Sequence, residues 1–287
     1  MKSIYKTPQA KIAIMGLYDK KLRSLNFPLE VKDVDTSFGN TSVIVTGNPK
    51  GKPIVLFHGV HAGSPLTVES VKGLLATYQF FAIDTIGQAT KSAETTINIK
   101  DDSFAVWADE VLDNLAITRA DFIGISYGAY ILQKLMAFKP SKVGKCILIV
   151  PSGLSNGSFW PSLVKLTLPL IKYLITKKDK DLIKFTKSFI QEDDSYMQEF
   201  QKAILIGLHM DYRRPQILRH EQVEHFTNPV YIIAAENDVF FPAKKAIAQA
   251  KKVFKNLKEV YILKNCKHMP YGTQLIEIEN KIREWIM

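Results

Sequence analysis

Short runs of apolar, β-branched and aromatic residues alternate with longer segments of helical periodicity along most of this chain. Such runs predict strands, and the segments between them predict the crossover helices of a mostly parallel sheet. Near the start, two runs that alternate between apolar and polar residues predict an antiparallel hairpin. The predicted strands are Glu30–Ser37, Thr41–Thr46, Ile54–Phe57, Gln79–Ile83, Asp121–Ile125, Lys145–Val150, Pro229–Ala234 and Glu259–Leu263. We therefore expect the α/β class, with a mostly parallel central sheet and helices on both of its faces.

One interval departs from this alternation of strands and single helices. Between the strand that ends at Val150 and the strand that begins near Pro229 lies far more chain than one crossover needs. The interval contains three apolar helical stretches, at Leu163–Thr176, Leu182–Ile190 and Gln198–His209. The sequence therefore predicts a core formed by residues 1–150 and 228–287, with residues 151–227 inserted as a helical cap, or lid.

A serine between a strand and a helix is the first candidate for chemistry. Ser126 follows the strand that ends at Ile125 and precedes a helix-prone run, with Gly124 and Gly128 two residues to either side. A strand-to-helix turn of this kind is so tight that side chains at the two glycine positions would collide. The turn pushes the serine hydroxyl outward, which makes Ser126 a candidate nucleophile.

Polar residues also follow three other predicted strands: His58 with Gly59, then Asp238, then His268. The carboxyl ends of the strands are where ligands bind in open parallel sheets. A serine hydroxyl needs an imidazole to take its proton, and a carboxylate must hold that imidazole in the right tautomer. We expect Ser126, His268 and Asp238 to fill these roles, with Glu236 as a rival for the acid.

With these motifs, and with Tyr18-Asp19, Phe38-Gly39 and Ile83-Asp84, the chain resembles the α/β-hydrolase superfamily, and more narrowly its bacterial carboxylesterase-like members. The resemblance implies the α/β-hydrolase fold. In the superfamily pattern the acid follows the small residue at the strand end by three positions. That position favours Asp238, three residues after Ala235, and leaves Glu236 as a solvated loop residue.

The same resemblance implies an oxyanion hole. Its donors would be the backbone N–H groups of Val60 and Tyr127, each aimed at the charge that develops in a tetrahedral intermediate. His58 would brace this loop by hydrogen bonding, and His61 would be a wall of the pocket. The supporting residues are His58, Gly59, Gly124 and Gly128.

These residues predict a serine hydrolase that acts on carboxylic esters through an acyl-enzyme intermediate, without a cofactor or a metal. Thioesterase, lactonase, amidase and carbon–carbon bond hydrolase activities remain open, because all of them use the same triad. A ligand-binding or receptor-like member of the fold, without catalysis, is the alternative from a different class. The expected partner is a small-molecule ester.

The apolar run Trp160–Ile175 is too short and too charged to cross a bilayer, and Pro169 interrupts it. We expect it to pack over the active site. The alternative is a lid that touches lipid surfaces, which the interspersed Lys165 and Lys172 favour.

Charge, cysteine content and the first residues of the chain say less about function than the motifs do. The net charge of +10 comes from lysines spread along the chain, without the aromatic interleaving of a nucleic-acid binder, and predicts a solvated basic surface. The two cysteines, Cys146 and Cys266, lack metal-ligand spacing, and two free thiols in a reducing cytoplasm are expected. The segment Met1–Lys21 is interpreted as an amphipathic helix because it lacks the apolar core and cleavage site of a signal peptide.

Overall fold

The computed structural model describes residues 3–191, 194–211 and 213–286. In these residues eight strands form one sheet in the order β1-β2-β4-β3-β5-β6-β7-β8. The strands are β1 Leu29–Thr36, β2 Gly39–Gly47, β3 Pro53–Phe57, β4 Gln79–Ile83, β5 Ala120–Ile125, β6 Val143–Ile149, β7 Val230–Ala235 and β8 Leu257–Leu263. β2 pairs antiparallel with both β1 and β4, and every other neighbouring pair is parallel.

Helices connect the strands and cover both faces of the sheet. They are α1 Pro8–Arg23, α2 Gly63–Glu69, α3 Ser103–Asn114, α4 Tyr127–Phe138, α5 Phe159–Ser162, α6 Leu168–Thr176, α7 Asp179–Thr186, α8 Ser195–Gly207, α9 Ala243–Val253 and α10 Thr273–Ile286. The predicted fold class is confirmed, and all eight predicted strands are present with ends that differ by one or two residues at most.

The core explains why the central strands are apolar at every position. Successive residues of β3 point to opposite faces of the sheet, so that Val55 and Phe57 join one apolar cluster while Ile54 and Leu56 join the other. Both clusters are covered by helices, and therefore neither face of the strand meets water. Trp107 of α3, which has no exposed surface, fills the first cluster.

Residues 151–227, which we call the inserted segment, contain α5 to α8. Together with α1 they form a third apolar cluster, to which Ile14, Leu17, Phe185, Phe200 and Ile204 belong. Val239, Phe240 and Met269, from the loops after β7 and β8, pack into the same cluster. The inserted segment therefore lies against the carboxyl edge of the sheet. Its role as a separate cap domain remains a prediction.

The predicted helix Leu163–Thr176 has an irregular start. Residues Leu163–Thr167 form a π-helical turn between α5 and α6, and Pro169 follows in the first turn of α6. A proline has no N–H to donate to the carbonyl four residues earlier, which here is that of Lys165, and the hydrogen-bond ladder changes its spacing at this point. In the described part of the chain, no helix is long and apolar enough to cross a membrane.

Candidate active site

Ser126 lies on the strained turn between β5 and α4. Its backbone has φ 52° and ψ −112°, a left-handed conformation that a non-glycine residue rarely adopts. The end of β6 and the residues after it hold the turn: the Ser126 N–H donates to the carbonyl of Ile149 at 2.9 Å, and the Ser152 N–H donates to the carbonyl of Ser126 at 3.2 Å. The surrounding structure thus fixes the direction of the serine hydroxyl.

The two flanking glycines are required by close approach. A Cβ atom on Gly124 would lie 2.6 Å from the Cα of Ala129, and one on Gly128 would lie 2.1 Å from the carbonyl oxygen of Phe57. Neither distance is compatible with a side chain, because backbone atoms cannot give way cheaply. These contacts are the physical reason for the glycine spacing seen in the sequence.

One continuous chain of hydrogen bonds joins the three residues predicted as the triad. The Oγ of Ser126 lies 3.0 Å from Nε2 of His268, and Nδ1 of His268 lies 2.8 Å from Oδ2 of Asp238. The Asp238 side chain is fully buried, and its other oxygen accepts hydrogen bonds from the N–H groups of Phe240 and Phe241 at 2.8 and 3.0 Å. One oxygen of the carboxylate is therefore held by the backbone, and the other faces the imidazole.

Two aromatic rings that the sequence patterns do not single out pack against this imidazole. The rings of Phe240 and Phe241 meet His268 in edge-to-face arrangements, with centroids 4.9 and 5.4 Å away. Such contacts fix the plane of a ring without consuming its polar atoms. The available signal was an aromatic pair two residues after Asp238, in a loop where polar residues are the rule.

Glu236, the rival acid, is turned elsewhere. It is exposed, pairs with Lys264 at 3.0 Å and accepts a hydrogen bond from the backbone N–H of Asn265 at 2.9 Å. The backbone hydrogen bond from Asn265 and the Lys264 ammonium lower the pKa of this carboxyl. Its interactions connect the loops after β7 and β8. Of the two acidic candidates, Asp238 is the one hydrogen-bonded to the His268 imidazole.

The loop after β3 presents the predicted oxyanion donors. Nε2 of His58 accepts from the Thr85 N–H at 2.8 Å, so its proton resides on Nδ1, which donates to the carbonyl of Gly59 at 2.6 Å. Burial lowers the pKa of His58 and favours this neutral form. In a trans peptide the N–H points opposite to the C=O, and His58 therefore directs the Val60 N–H away from itself.

The N–H groups of Val60 and Tyr127 accordingly remain available. Among the described residues neither group has a backbone or side-chain acceptor, while a Cβ on Gly59 would lie at an ordinary 3.6 Å from the Cβ of Ser126. The loop and the first residue of α4 thus meet beside the serine. This is the arrangement that an oxyanion between two N–H donors requires.

The buried carboxylate of Asp84 holds the residues that follow this loop. Asp84 has no exposed surface and accepts hydrogen bonds from the Tyr18 hydroxyl at 2.8 Å, the Ser64 N–H at 2.8 Å and the Lys91 N–H at 3.1 Å. Three donors satisfy most of the hydrogen-bonding capacity of the carboxylate. It anchors α1 and the residues after the oxyanion loop to the sheet, which is a structural role.

His61, His220 and the two cysteines have structural contacts, whereas His209 and His225 are exposed. The His61 backbone has φ 54°, its Nδ1 accepts from the Ala89 N–H, and burial lowers its pKa to about 4. Nδ1 of His220 pairs with the carbonyl of Val253, and Cys146 and Cys266 are buried free thiols. Within the described ranges, no group of three His, Cys, Asp or Glu side chains could hold a metal ion.

Residues 52–177 match the family model described as the alpha/beta hydrolase fold. Two curated relatives from Bacillus subtilis (strain 168) align with most of the chain. One, "Uncharacterized carboxylesterase nap", is 22% identical over 82% of this chain and 79% of its own length. The other, "Carboxylesterase YbfK", is 23% identical over 88% of this chain and 86% of its own length.

Solved structures share the whole architecture. The naproxen esterase (carboxylesterase NP) from Bacillus subtilis superposes with a TM-score of 0.83 at 19% identity, over 98% of this chain and 100% of the other. At that identity the superposition establishes the fold. The chain therefore has the α/β-hydrolase fold, and its sequence is similar to those of two carboxylesterases from Bacillus subtilis.

Proposed function

We propose that this protein hydrolyses carboxylic esters in two steps, through an acyl-enzyme intermediate on Ser126. The observation that carries the proposal is the hydrogen-bond chain from the Ser126 hydroxyl through His268 to the buried carboxylate of Asp238. The names of the relatives, both carboxylesterases, support esters as the class of substrate.

In the first step the Ser126 Oγ attacks the carbonyl carbon of the ester while Nε2 of His268 takes the hydroxyl proton. The positive charge that forms on the imidazole is stabilised by Asp238, whose Oδ2 faces Nδ1 at 2.8 Å. When the tetrahedral intermediate collapses, the C–O bond to the alcohol breaks. Nε2 returns the proton to the departing alkoxide, and the acyl group remains on Ser126.

The oxygen of the tetrahedral intermediate becomes negatively charged, and it would lie between the N–H groups of Val60 and Tyr127. Each donor of this kind is typically worth roughly 3 kcal/mol of barrier. The Tyr127 N–H is also the first of α4, and the partial positive charge at a helix N-terminus favours an anion there. In the second step a water molecule, deprotonated by Nε2 of His268, attacks the acyl carbon. The bond from that carbon to the Ser126 Oγ then breaks, Nε2 returns the proton to Oγ, and the acid is released.

The inserted segment would act as a cap over this site. Leu166 and Leu170 face the third apolar cluster together with Phe240 and Met269, which neighbour Asp238 and His268 in the chain. An apolar cover at this edge would exclude water and strengthen the electrostatic interactions at the oxyanion. It would also offer an apolar surface to the acyl chain of a substrate.

A fluorophosphonate probe tests the proposal, since it reacts only with an activated serine. Mass spectrometry should find the adduct on Ser126, and Ser126→Ala should abolish both labelling and the burst of product from p-nitrophenyl acetate. Ser152→Ala is the matched control, because Ser152 is buried beside the same turn. Continued ester hydrolysis by the Ser126→Ala variant would overturn the serine mechanism. An unlabelled wild-type protein that still binds esters would indicate the ligand-binding alternative.

A further inference from the structure

The helices at the start of the inserted segment present a row of large apolar side chains to solvent. The row follows one side of the helical stretch at spacings of three and four residues, which places its members on one face. We call this row the outer stripe; its members, with their exposed fractions, are Trp160 70%, Val164 59%, Leu168 53%, Ile171 47% and Ile175 77%. Contiguous exposed apolar surface of this kind marks an interaction site more often than isolated residues do.

The stripe is not the result of a loosely attached helix. On the opposite side of α6, Pro169 and Tyr173 are buried, and Tyr173 belongs to the third apolar cluster. The helix is therefore held against the protein by one apolar side while a second apolar side faces outward. The inward packing of Pro169 and Tyr173 therefore does not account for the apolar character of the stripe.

Lysines border the outer stripe on one flank and at both ends. Lys165 and Lys172 are exposed along one flank, where Lys172 pairs with Asp181 at 3.2 Å, and Lys177 and Lys178 follow the end of α6. At the other end, Nζ of Lys245 donates to the Ser158 hydroxyl at 3.0 Å, just before α5. The chain as a whole carries a net charge of +10. An apolar strip edged by cations is complementary to a surface that combines negative charge with an apolar interior.

We propose that the outer stripe binds the surface of an anionic lipid bilayer. The helix would lie in the plane of the interface, with the stripe at the boundary of the acyl chains and the lysines at the level of the lipid phosphates. Trp160, at one end of the stripe, suits the interface because its ring is apolar and its N–H is polar. A second copy of the chain is a poorer occupant, because pairing two such faces would oppose their lysines.

This inference goes beyond the proposed function and does not depend on it, since binding to vesicles is measured without catalysis. The test uses sedimentation of the full chain with vesicles of phosphatidylcholine alone and with vesicles of equal parts phosphatidylcholine and phosphatidylglycerol. We expect binding only to the anionic vesicles, weakening as salt screens the lysines. Of the three tryptophans, Trp107 and Trp285 are buried, so a blue shift of emission on binding would report on Trp160.

Paired variants separate the two contributions. Leu168→Ser with Ile175→Ser should reduce the partition coefficient about tenfold or more. Val31→Ser with Ile276→Ser, which removes exposed apolar side chains from β1 and α10, should leave it unchanged.

For the charges, Lys165→Glu with Lys178→Glu should lower the partition coefficient by at least about tenfold. Lys50→Glu with Lys100→Glu, a pair of exposed lysines outside the inserted segment, is the control with the same change in net charge.

Three results would overturn the proposal. The first is equal binding to neutral and anionic vesicles, or no binding to either. The second is unaltered binding of the stripe variant. The third is self-association of the wild-type chain without lipid that the stripe variant abolishes, which would make the outer stripe an interface between copies of the chain.

Discussion

The backbone N–H of Met269, the residue after His268, donates to the carbonyl oxygen of Phe189 in the inserted segment at 3.0 Å. The loop that carries the imidazole is thus hydrogen-bonded directly to the inserted segment. Gln191 strengthens the connection, because its Nε2 donates to the carbonyl of Asn265 at 2.8 Å. The position of the histidine therefore depends on the position of the inserted segment.

A lysine completes this connection and provides the first prediction. Nζ of Lys267 donates to the carbonyl of Lys187 at 2.6 Å, just past the end of α7. Lys267→Met keeps the length of the side chain but removes that donor, whose hydrogen bond contributes about 1 kcal/mol. We expect kcat for p-nitrophenyl esters to fall several-fold while the denaturation midpoint changes little.

Lys264→Met is the matched control for this loop, because Lys264 is exposed and pairs with Glu236 instead of the inserted segment. If both variants lower kcat equally, the contact between Lys267 and Lys187 does not position the histidine.

The two acidic candidates differ in their partners and should differ in their effect. Asp238→Asn should reduce kcat by about ten-thousandfold, because an amide favours the wrong tautomer of His268. Glu236→Gln should change kcat little, since Glu236 contacts Lys264 and Asn265. Steady-state kinetics of both variants, with circular dichroism to verify folding, check the ranking; the reverse ranking would move the acid to Glu236.

The inner side of the π-helical turn and α6 should select the acyl chain. If Leu166 and Leu170 line the pocket, each methylene in contact with them contributes up to ~0.8 kcal/mol of binding. Replacing both with alanine should shift or flatten the chain-length optimum for p-nitrophenyl esters, with acetyl esters least affected. Val164→Ala with Ile175→Ala, on the outer stripe, is the control. An unchanged profile in the inner variant would exclude this role.

The buried neutral imidazole of His58 makes stability depend on pH. Its pKa is lowered in the folded protein by burial, so the unfolded chain takes up a proton as the pH falls below about 6.5 while the folded chain does not. The stabilisation that neutral His58 gives to the folded protein is therefore complete above that pH and is lost as the pH falls. His58→Gln should reduce the acid-side slope of the free energy of unfolding by up to about 1.4 kcal/mol per pH unit.

Urea titrations at several pH values measure this slope. His225→Gln is the control, because the His225 side chain is 87% exposed. A slope that is equal in the wild type and in His58→Gln would show that His58 is not the group responsible.

The strands and the geometry around Ser126 could be predicted because they follow from local rules. A strand buried on both faces must be apolar throughout, as β3 is, and a tight strand-to-helix turn excludes side chains at Gly124 and Gly128. Residues at the carboxyl ends of parallel strands meet at one edge of the sheet, which brings Ser126, Asp238 and His268 within hydrogen-bonding distance.

What the sequence did not reveal depends on packing between distant segments. The rings of Phe240 and Phe241 could have faced solvent, and only the position of the loop after β8 puts His268 beside them. The apolar run around α6 is likewise ambiguous, because hydrophobicity on two sides of a helix does not tell which side faces the protein. The structure shows that Tyr173 is buried in the third apolar cluster, whereas Leu168 is exposed on the other side of the helix.

The contact between α1 and α8 has a consequence for synthesis of the chain. Ile14 and Leu17 of α1 are covered by residues of the inserted segment, and the Lys6 N–H donates to the carbonyl of Gly207. These partners lie about 190 residues apart in the chain, and a ribosome adds roughly 5–20 residues per second. The apolar face of α1 is therefore synthesised ~10–40 s before the residues that bury it. During that interval α1 is a candidate binding site for chaperones, and a messenger truncated before codon 207 would yield a product that exposes it permanently.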